Sequence, residues 1–450
     1  MEAAALLLVL LAGGCSRTPD RWNLLIITVD TLRADRLGCY GSDQTRTPGI
    51  DALATEGTLF TNSFSSIPIT LPSHCSILTG LYPRTHQVLS HGYRLDDRHT
   101  TLAEMLDQEG YQTAAFVWNH VLSRKYGLNQ GFDIYWERFL QGSRMANELM
   151  NSTGEDILTT AAIDWVRTVS EEPFFLWVHW FHPHKPYQPP PPMDAVYGKE
   201  GESPTEDSRV VMDQAWQGEI DLPASEVDRF RRLYGGEVAY SDRQVGLLLE
   251  QLRREGLLDR TLIVFTADHG EVLYEHDRYF GHDIMLYDPS IHVPLILRGP
   301  GLIPEGGLVE ETVRNVDIVP TLLDLLGVPA EEFPLDGRSF APTLRGAKLE
   351  DAPVFAELFP PEEEWKSLPR HAIRYGDWKL IAEDQKEEVE LYRLSDDPGE
   401  MVNLAATEEE TRARLETMLR GWMGDEVPAS FPDLSAEERE NLRSLGYIGD

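Results

Sequence analysis

Cysteine is scarce, with three in 450 residues. Thiols at Cys15, Cys39 and Cys75 make no disulfide framework, so the chain depends on an apolar core. Positive charge is also short: 40 Lys and Arg stand against 75 Asp and Glu, for a net charge of -35. Such a surface repels nucleic acid and excludes it as a partner. It leaves open the charge inside a pocket. No internal repeat is visible. The apolar run ALLLVLLAGGC, from Ala5 to Cys15, is too short to span a bilayer.

That run has the length of a signal-peptide apolar region. Gly13 and Gly14 precede Cys15, and the polar SRTPD follows. The pattern resembles a bacterial lipoprotein signal over residues 1–20, with Cys15 as the lipidated residue. It lacks a basic residue ahead of the apolar run, and an ordinary cleaved signal is the alternative. Either way the expectation is export to the periplasm or cell envelope. Membrane contact would come only through the lipid. Cys39 and Cys75 are then expected as buried thiols, or as a pair if the fold brings them together.

What is present is a globular composition, 42% hydrophobic and 26% charged, long enough for a large domain and a smaller one. WNLLIITVD, YQTAAFVW, PFFLWVHWF and TLIVFTAD are continuous apolar runs separated by helical patterns such as LAEMLDQEG and DILTTAAIDWVRTVS. Val238, Val245, Leu248 and Leu252 recur at helical spacing. The alternation reads as α/β, with a large, mostly parallel sheet sandwiched by helices over residues 21–345. Near residue 345 the composition turns more acidic. PVFAEL, HAIRYGDWKLIA and VELYRLSDDPGE then read as short antiparallel strands, followed by a helix from about Glu408. This makes residues 346–450 a smaller antiparallel sheet plus helix, whose tail carries Ser435 and Glu438 as a capping box and Gly446 as its stop. The segment from Pro189, PPPPMDAVYGKEGESPTEDS, is expected to be an irregular surface loop near the site.

Ligands of such sheets sit at the carboxyl ends of strands. Asp30, His179, His182, Asp268 and His269 all fall at that edge. Carboxylates and imidazole there suit one divalent cation. In SIPITLPSHCSILTGLYP, from Ser66, Pro72 suits a first helical position and Gly80 a stop. Thr70 then sits at or before the N-cap, where free N–H groups and the dipole favour an anion or an ionised hydroxyl. A plain capping threonine is the alternative.

In combination these segments resemble the sulfatase family of the alkaline phosphatase superfamily, over about residues 22 to 405. The carriers are NLLIITVDTLRADRLGCYG, TPGIDALATEGTLFTNSF, LPSHCSILTGLYP, FFLWVHWFHPHKPY, TADHGE, LYDPSIHVPLILRGPG and ELYRLSDDPGEMVNLA. The resemblance implies a metal-dependent hydrolase of sulfate or phosphate esters with a small-molecule, carbohydrate or lipid substrate. It leaves the oligomeric state open. In sulfatases the helix start carries Cys or Ser in C/S-x-P-S-R, oxidised to formylglycine. Here it reads Thr70-Leu71-Pro72-Ser73-His74, so no formylglycine is expected. Formylglycine hydrate attacks with one hydroxyl and expels sulfate with the other. Threonine has one hydroxyl, so its ester must be broken by water, which is ordinary for phosphoryl groups. Related phosphodiesterases of the superfamily use threonine this way. A phosphodiesterase or phosphonate monoester hydrolase is therefore the alternative activity.

The resemblance places metal positions at Asp30, Thr31, Asp268 and His269. Thr31 stands where the family has a second acid, and His269 where many members have Asn. The exchange favours manganese, zinc or iron, with calcium still possible. His184 matches the histidine near the leaving group. His120 matches the histidine of the Gly-Lys-Trp-His motif, with Trp118 in place of its lysine. His282 aligns with the lysine that binds sulfate oxygens. His74, Lys185 and His276 are candidate substrate-binding groups, and His86 a weaker one. A degenerate, non-catalytic binding lipoprotein is the rival reading, drawing on Thr31, His74 and Trp118.

Overall fold

The continuous apolar runs become the middle of one sheet. The computed structural model describes residues 21–137, 154–169, 173–198, 208–276, 279–359, 368–384, 386, 389–424, 435 and 439. The expected leader at 1–20 with Cys15 lies outside the described residues, as do 199–207 of the expected surface loop and Glu438 and Gly446 of the tail.

Strands β1 (Asn23–Val29), β2 (Thr58–Phe60), β3 (Gln112–Val117), β4 (Ile134–Glu137), β5 (Phe174–Trp180), β6 (Thr261–Ala267), β7 (Leu295–Arg298) and β8 (Gly307–Val309) form an eight-stranded sheet. Their order is β8-β2-β7-β6-β1-β5-β3-β4. β1 runs parallel to β5 and β6, β3 to β5 and β4, and β8 to β2. Among these strands only β7 runs against its neighbours. Every residue of β1, β5 and β6 is buried. Burial on both faces is why these strands read as unbroken apolar runs rather than as alternation.

Four helices matter for the site and its surroundings: α1 (Thr70–Thr79), α2 (Gly154–Val166), α3 (Ala224–Arg254) and α4 (Glu409–Met423). Val238, Val245, Leu248 and Leu252 of α3 are fully buried, as a helix with an apolar stripe on the core requires. The expected irregular loop is partly helical, with short helices at Met193–Tyr197 and Ser208–Trp216. Among the described residues no helix is long and apolar enough to cross a membrane.

β9 (Val354–Leu358), β10 (Arg370–Tyr375), β11 (Trp378–Glu383) and β12 (Val389–Arg393) make a separate antiparallel sheet. Leu415 and Leu419 of α4 pack on its Ile373, Leu380 and Leu391. A charged clamp ties this sheet to the rest of the molecule. Lys379 Nζ, buried on β11, lies 2.7 Å from both Asp288 Oδ1 and Glu400 Oε1. Cys39 and Cys75 are both free, and Cys75 is buried.

Candidate active site

Two neighbouring strands deliver the first group of residues. Asp30 follows β1 and Asp268 follows β6, so their side chains meet at the same edge of the sheet. Each carboxylate is half engaged. Asp30 Oδ2 accepts from Asn119 Nδ2 at 2.7 Å. Asp268 Oδ1 accepts the N–H groups of Thr31 at 3.2 Å and His269 at 2.9 Å. The remaining oxygens, Asp30 Oδ1 and Asp268 Oδ2, are buried without a hydrogen-bond partner.

His269 completes the group. Its Nδ1 lies 3.0 Å from the Gly270 carbonyl. A carbonyl only accepts, so Nδ1 carries the hydrogen and Nε2 presents its lone pair. Nε2 lies 3.8 Å from Asp30 Oδ1 and 3.4 Å from Asp268 Oδ2. The three residues offer ligand atoms that all lie within 4.8 Å of one another. Gly270 follows because a Cβ there would collide with the Pro289 carbonyl. Burial raises Asp30 to about 8. Burial, and then the charge of Asp30, holds Asp268 well above the carboxylate range. Two buried, converging carboxylates and a bare imidazole nitrogen form a donor set that fits a divalent cation, which reverses that pKa logic.

Thr70 stands beside this group, with Oγ1 3.3 Å from His269 Nε2. The helix start differs by two places from the sequence expectation. Ile69 is the N-cap, Thr70 the first helical residue and Pro72 the third. The first helical turn has no intrahelical N–H bonds to lose, so it accepts a proline at the third position as readily as at the first. The first i to i−4 bond runs from Ser73 N–H to the Ile69 carbonyl at 3.0 Å. Ser73 Oγ donates to the Asp268 carbonyl at 2.6 Å, which ties the helix start to the end of β6. Gly80 ends the helix with φ at 72°, as expected.

Thr31 has φ at 55°, a costly conformation for a β-branched residue. Its carbonyl is held by Tyr234 Oη of α3 at 2.7 Å. The side-chain hydroxyl is buried without a hydrogen-bond partner.

The opposite side of the site is lined by imidazoles. The His282 ring lies 4.3 Å from that of His269 and 5.2 Å from that of His184. His282 Nδ1 donates to Glu271 Oε2 at 2.8 Å. Burial opposes protonation of His282, but the Glu271 charge raises its pKa. Tyr187 Oη donates to the other Glu271 oxygen at 2.7 Å. Lys185 Nζ stands 5.8 Å from the Tyr279 ring. Its charge lowers the pKa of Asp283, against a burial effect in the other direction.

Several expected residues land elsewhere in role. His74 is fully buried, with Nδ1 2.7 Å from the Thr70 carbonyl and Nε2 3.1 Å from Thr28 Oγ1. Both ring nitrogens are occupied by the protein, so His74 ties α1 to β1 and leaves neither nitrogen for a substrate. His86 is likewise occupied, by Ser76 Oγ at 3.1 Å and the Val88 N–H at 3.1 Å. His276 stacks on Tyr287 with centroids 3.8 Å apart. His120 is buried in the turn His120–Leu122. In this segment it is the adjacent Asn119 that reaches Asp30. Asn119 and Glu271 are site residues that the sequence did not single out. Glu271 closes the TADHGE motif, and that was its one local signal.

Comparison with known proteins agrees with this geometry. Residues 22–328 match the sulfatase family. Residues 275–423 match the C-terminal region of N-sulphoglucosamine sulphohydrolase. The chain is 28% identical to an arylsulfatase K of Bos taurus, over 94% of this chain and 84% of that protein. It is 29% identical to a choline-sulfatase of Rhizobium meliloti (strain 1021), over 86% of this chain and 83% of that one. It superposes on the phosphonate monoester hydrolase of Agrobacterium radiobacter with a TM-score of 0.75 at 25% identity, covering 90% of this chain and 95% of that one. The chain therefore belongs to the sulfatase family and is a sulfatase-like ester hydrolase.

Proposed function

We propose that Thr70 is the nucleophile of this hydrolase and that its preferred substrates are singly charged phosphorus esters, phosphodiesters or phosphonate monoesters. One observation carries the reading. Thr70 Oγ1 stands at a helix start, 3.3 Å from His269 Nε2, beside two unpartnered buried carboxylate oxygens. The similarity to a phosphonate monoester hydrolase supports the substrate class. So does the histidine-lined wall, which offers fewer fixed charges than a doubly charged monoester demands.

Asp30, Asp268 and His269 would hold a divalent ion, manganese, zinc or iron by donor type, whose charge favours the ionised Thr70 hydroxyl and balances the ester's anionic oxygens. The Thr70 proton leaves to solvent as Oγ1 bonds to phosphorus. The bond to the leaving oxygen breaks, and that oxygen takes a proton from His184. His282, oriented by Glu271, presents Nε2 to a substrate oxygen. Water then attacks phosphorus and gives its proton to His184, the Oγ1 bond breaks and Thr70 regains a proton from solvent. The α1 dipole favours negative charge on Oγ1 throughout.

Matched aryl sulfate, phosphate monoester, phosphodiester and phosphonate monoester substrates test this with the metal-loaded protein. The diester or phosphonate should turn over fastest. Faster hydrolysis of the aryl sulfate would assign a sulfatase instead. Lipidation at Cys15, after removal of the apolar run before it, belongs to the same proposal. Cys15→Ser should release the protein from membranes, and unchanged membrane association would refute the anchor.

A further inference from the structure

The His184 side of the histidine wall hangs on one loop, residues 181–188, which leaves the end of β5 and carries His184, Lys185 and Tyr187. Three buried glutamates from three different elements grip it. Glu271, after β6, takes the Tyr187 hydroxyl. Glu237 of α3 takes the Gln188 N–H at the far end. Glu155, in the first turn of α2 and fully buried, takes the near end.

The grip of Glu155 is the most concentrated. Its Oε1 accepts the N–H of Phe181 at 2.7 Å and that of His182 at 2.8 Å. His182 Nδ1 lies 2.9 Å from the same oxygen. A first-turn glutamate ordinarily serves its own helix N–H groups or dipole. Here the recorded partners are 26 and 27 residues away, on the loop. Ser241 of α3 adds a hydrogen bond to the His182 carbonyl at 2.9 Å. Two residues on, the His184 N–H closes the turn on the Phe181 carbonyl at 3.1 Å. The His184 ring packs on Phe181 with centroids 4.7 Å apart. Its Nδ1 lies 2.6 Å from the Lys185 carbonyl, which only accepts, so Nδ1 carries a hydrogen.

We infer that Glu155 is a positioning residue for the leaving-group histidine: by holding Phe181 and His182 it fixes the turn that presents the His184 imidazole to the substrate. The inference rests on His184 acting as the acid. The charge state of the clamp agrees with the geometry. Burial alone would lower His182, but the charge of Glu155, with Glu237 and Asp156 behind it, raises its pKa to about 9. A buried ion pair of this kind specifies one arrangement, because either partner alone is left uncompensated.

The test is a leaving-group series with the full metal-loaded chain, comparing an alkyl ester with its 4-nitrophenyl counterpart. An acid matters for the alkoxide leaving group and little for nitrophenolate. Glu155→Gln should lower kcat for the alkyl ester about 10- to 100-fold, with kcat for the aryl ester within about 3-fold and KM little changed. His184→Ala should show the same selectivity more strongly, and Glu155→Gln/His184→Ala should be no worse than His184→Ala. His182→Gln, which spares the two backbone contacts of Glu155, should show a weaker version of the same pattern. Rates are taken per bound metal, so misfolded protein does not count. Equal losses on both esters in Glu155→Gln and His182→Gln, or no loss, would overturn the inference while a selective His184→Ala leaves the acid assignment standing. An unselective His184→Ala would overturn that assignment itself.

Discussion

The two sides of the site are held by different means. On one side Asp30, Asp268, His269 and Thr70 sit at the ends of buried strands and the start of a helix. The backbone there fixes them, and most of their partners are near in sequence or at the end of a neighbouring strand, with Asn119 on Asp30 the exception. On the other side His184 and His282 stand on loops; Glu155, from a separate helix, holds the turn before His184, and Glu271, 11 residues before His282, orients that ring. The first side combines high charge with a rigid frame, as a cation and a nucleophile require. In the proposed reaction the second side gives protons to the leaving group, and loops suit that role.

The largest expected effect breaks the rigid side. Asp268→Ala removes a charged donor from the group, so bound metal should disappear by elemental analysis and turnover should fall at least about 1,000-fold. Retained metal with retained activity would place the cation elsewhere. Asn119→Ala probes the same side one step further out. It frees Asp30 Oδ2 from its 2.7 Å bond and should weaken metal affinity about 10-fold or more. An unchanged metal titration would reduce Asn119 to packing.

The small sheet sharpens the contrast, because its Lys379 clamp bonds Asp288 and Glu400 and none of the site residues. Lys379→Met leaves Asp288 and Glu400 buried without their cation, which should cost about 3 to 5 kcal/mol of stability in denaturant unfolding. Turnover per folded molecule should stay within about 2-fold. A large kcat loss without destabilisation would tie this sheet to the site directly.

The smallest effect is a pH signature of the loop clamp. His182 is raised from 6.5 to about 9. Its contribution to stability is therefore full below pH 6.5 and lost as pH rises through about 9. The stability gap between wild type and His182→Gln should shrink over that window in urea melts. A gap that widens with pH would reverse the assigned sign.

The rigid side was largely legible in the sequence because its signals are local. NLLIITVD and TLIVFTAD end in acids, and a helix pattern opens near Thr70. Pro72 misled by two places, since proline marks a first turn without marking a position in it. The loop side was legible only in its histidines. Glu155 reads locally as an ordinary acid at a helix start, and its partners lie across the fold. His74 read as a substrate group because the family has a charged residue there, yet burial beneath Thr70 gives both nitrogens protein partners. The reversal of β7 was equally hidden, because LILR is as apolar as its parallel neighbours and direction leaves no mark on composition.

The central claim is that Thr70 forms a covalent intermediate. Rapid-quench mass spectrometry on the metal-loaded protein, with the fastest phosphorus ester of the panel, measures it most directly. A peptide carrying the substrate's retained alkyl or aryl phosphate, as a phosphodiester, or the matching phosphonate ester, on Thr70 should appear within the first turnover and be absent from Thr70→Ala, which should retain metal and fold while losing most activity. Full activity of Thr70→Ala, with no adduct on the wild-type peptide, would contradict the account and leave water as the attacking group.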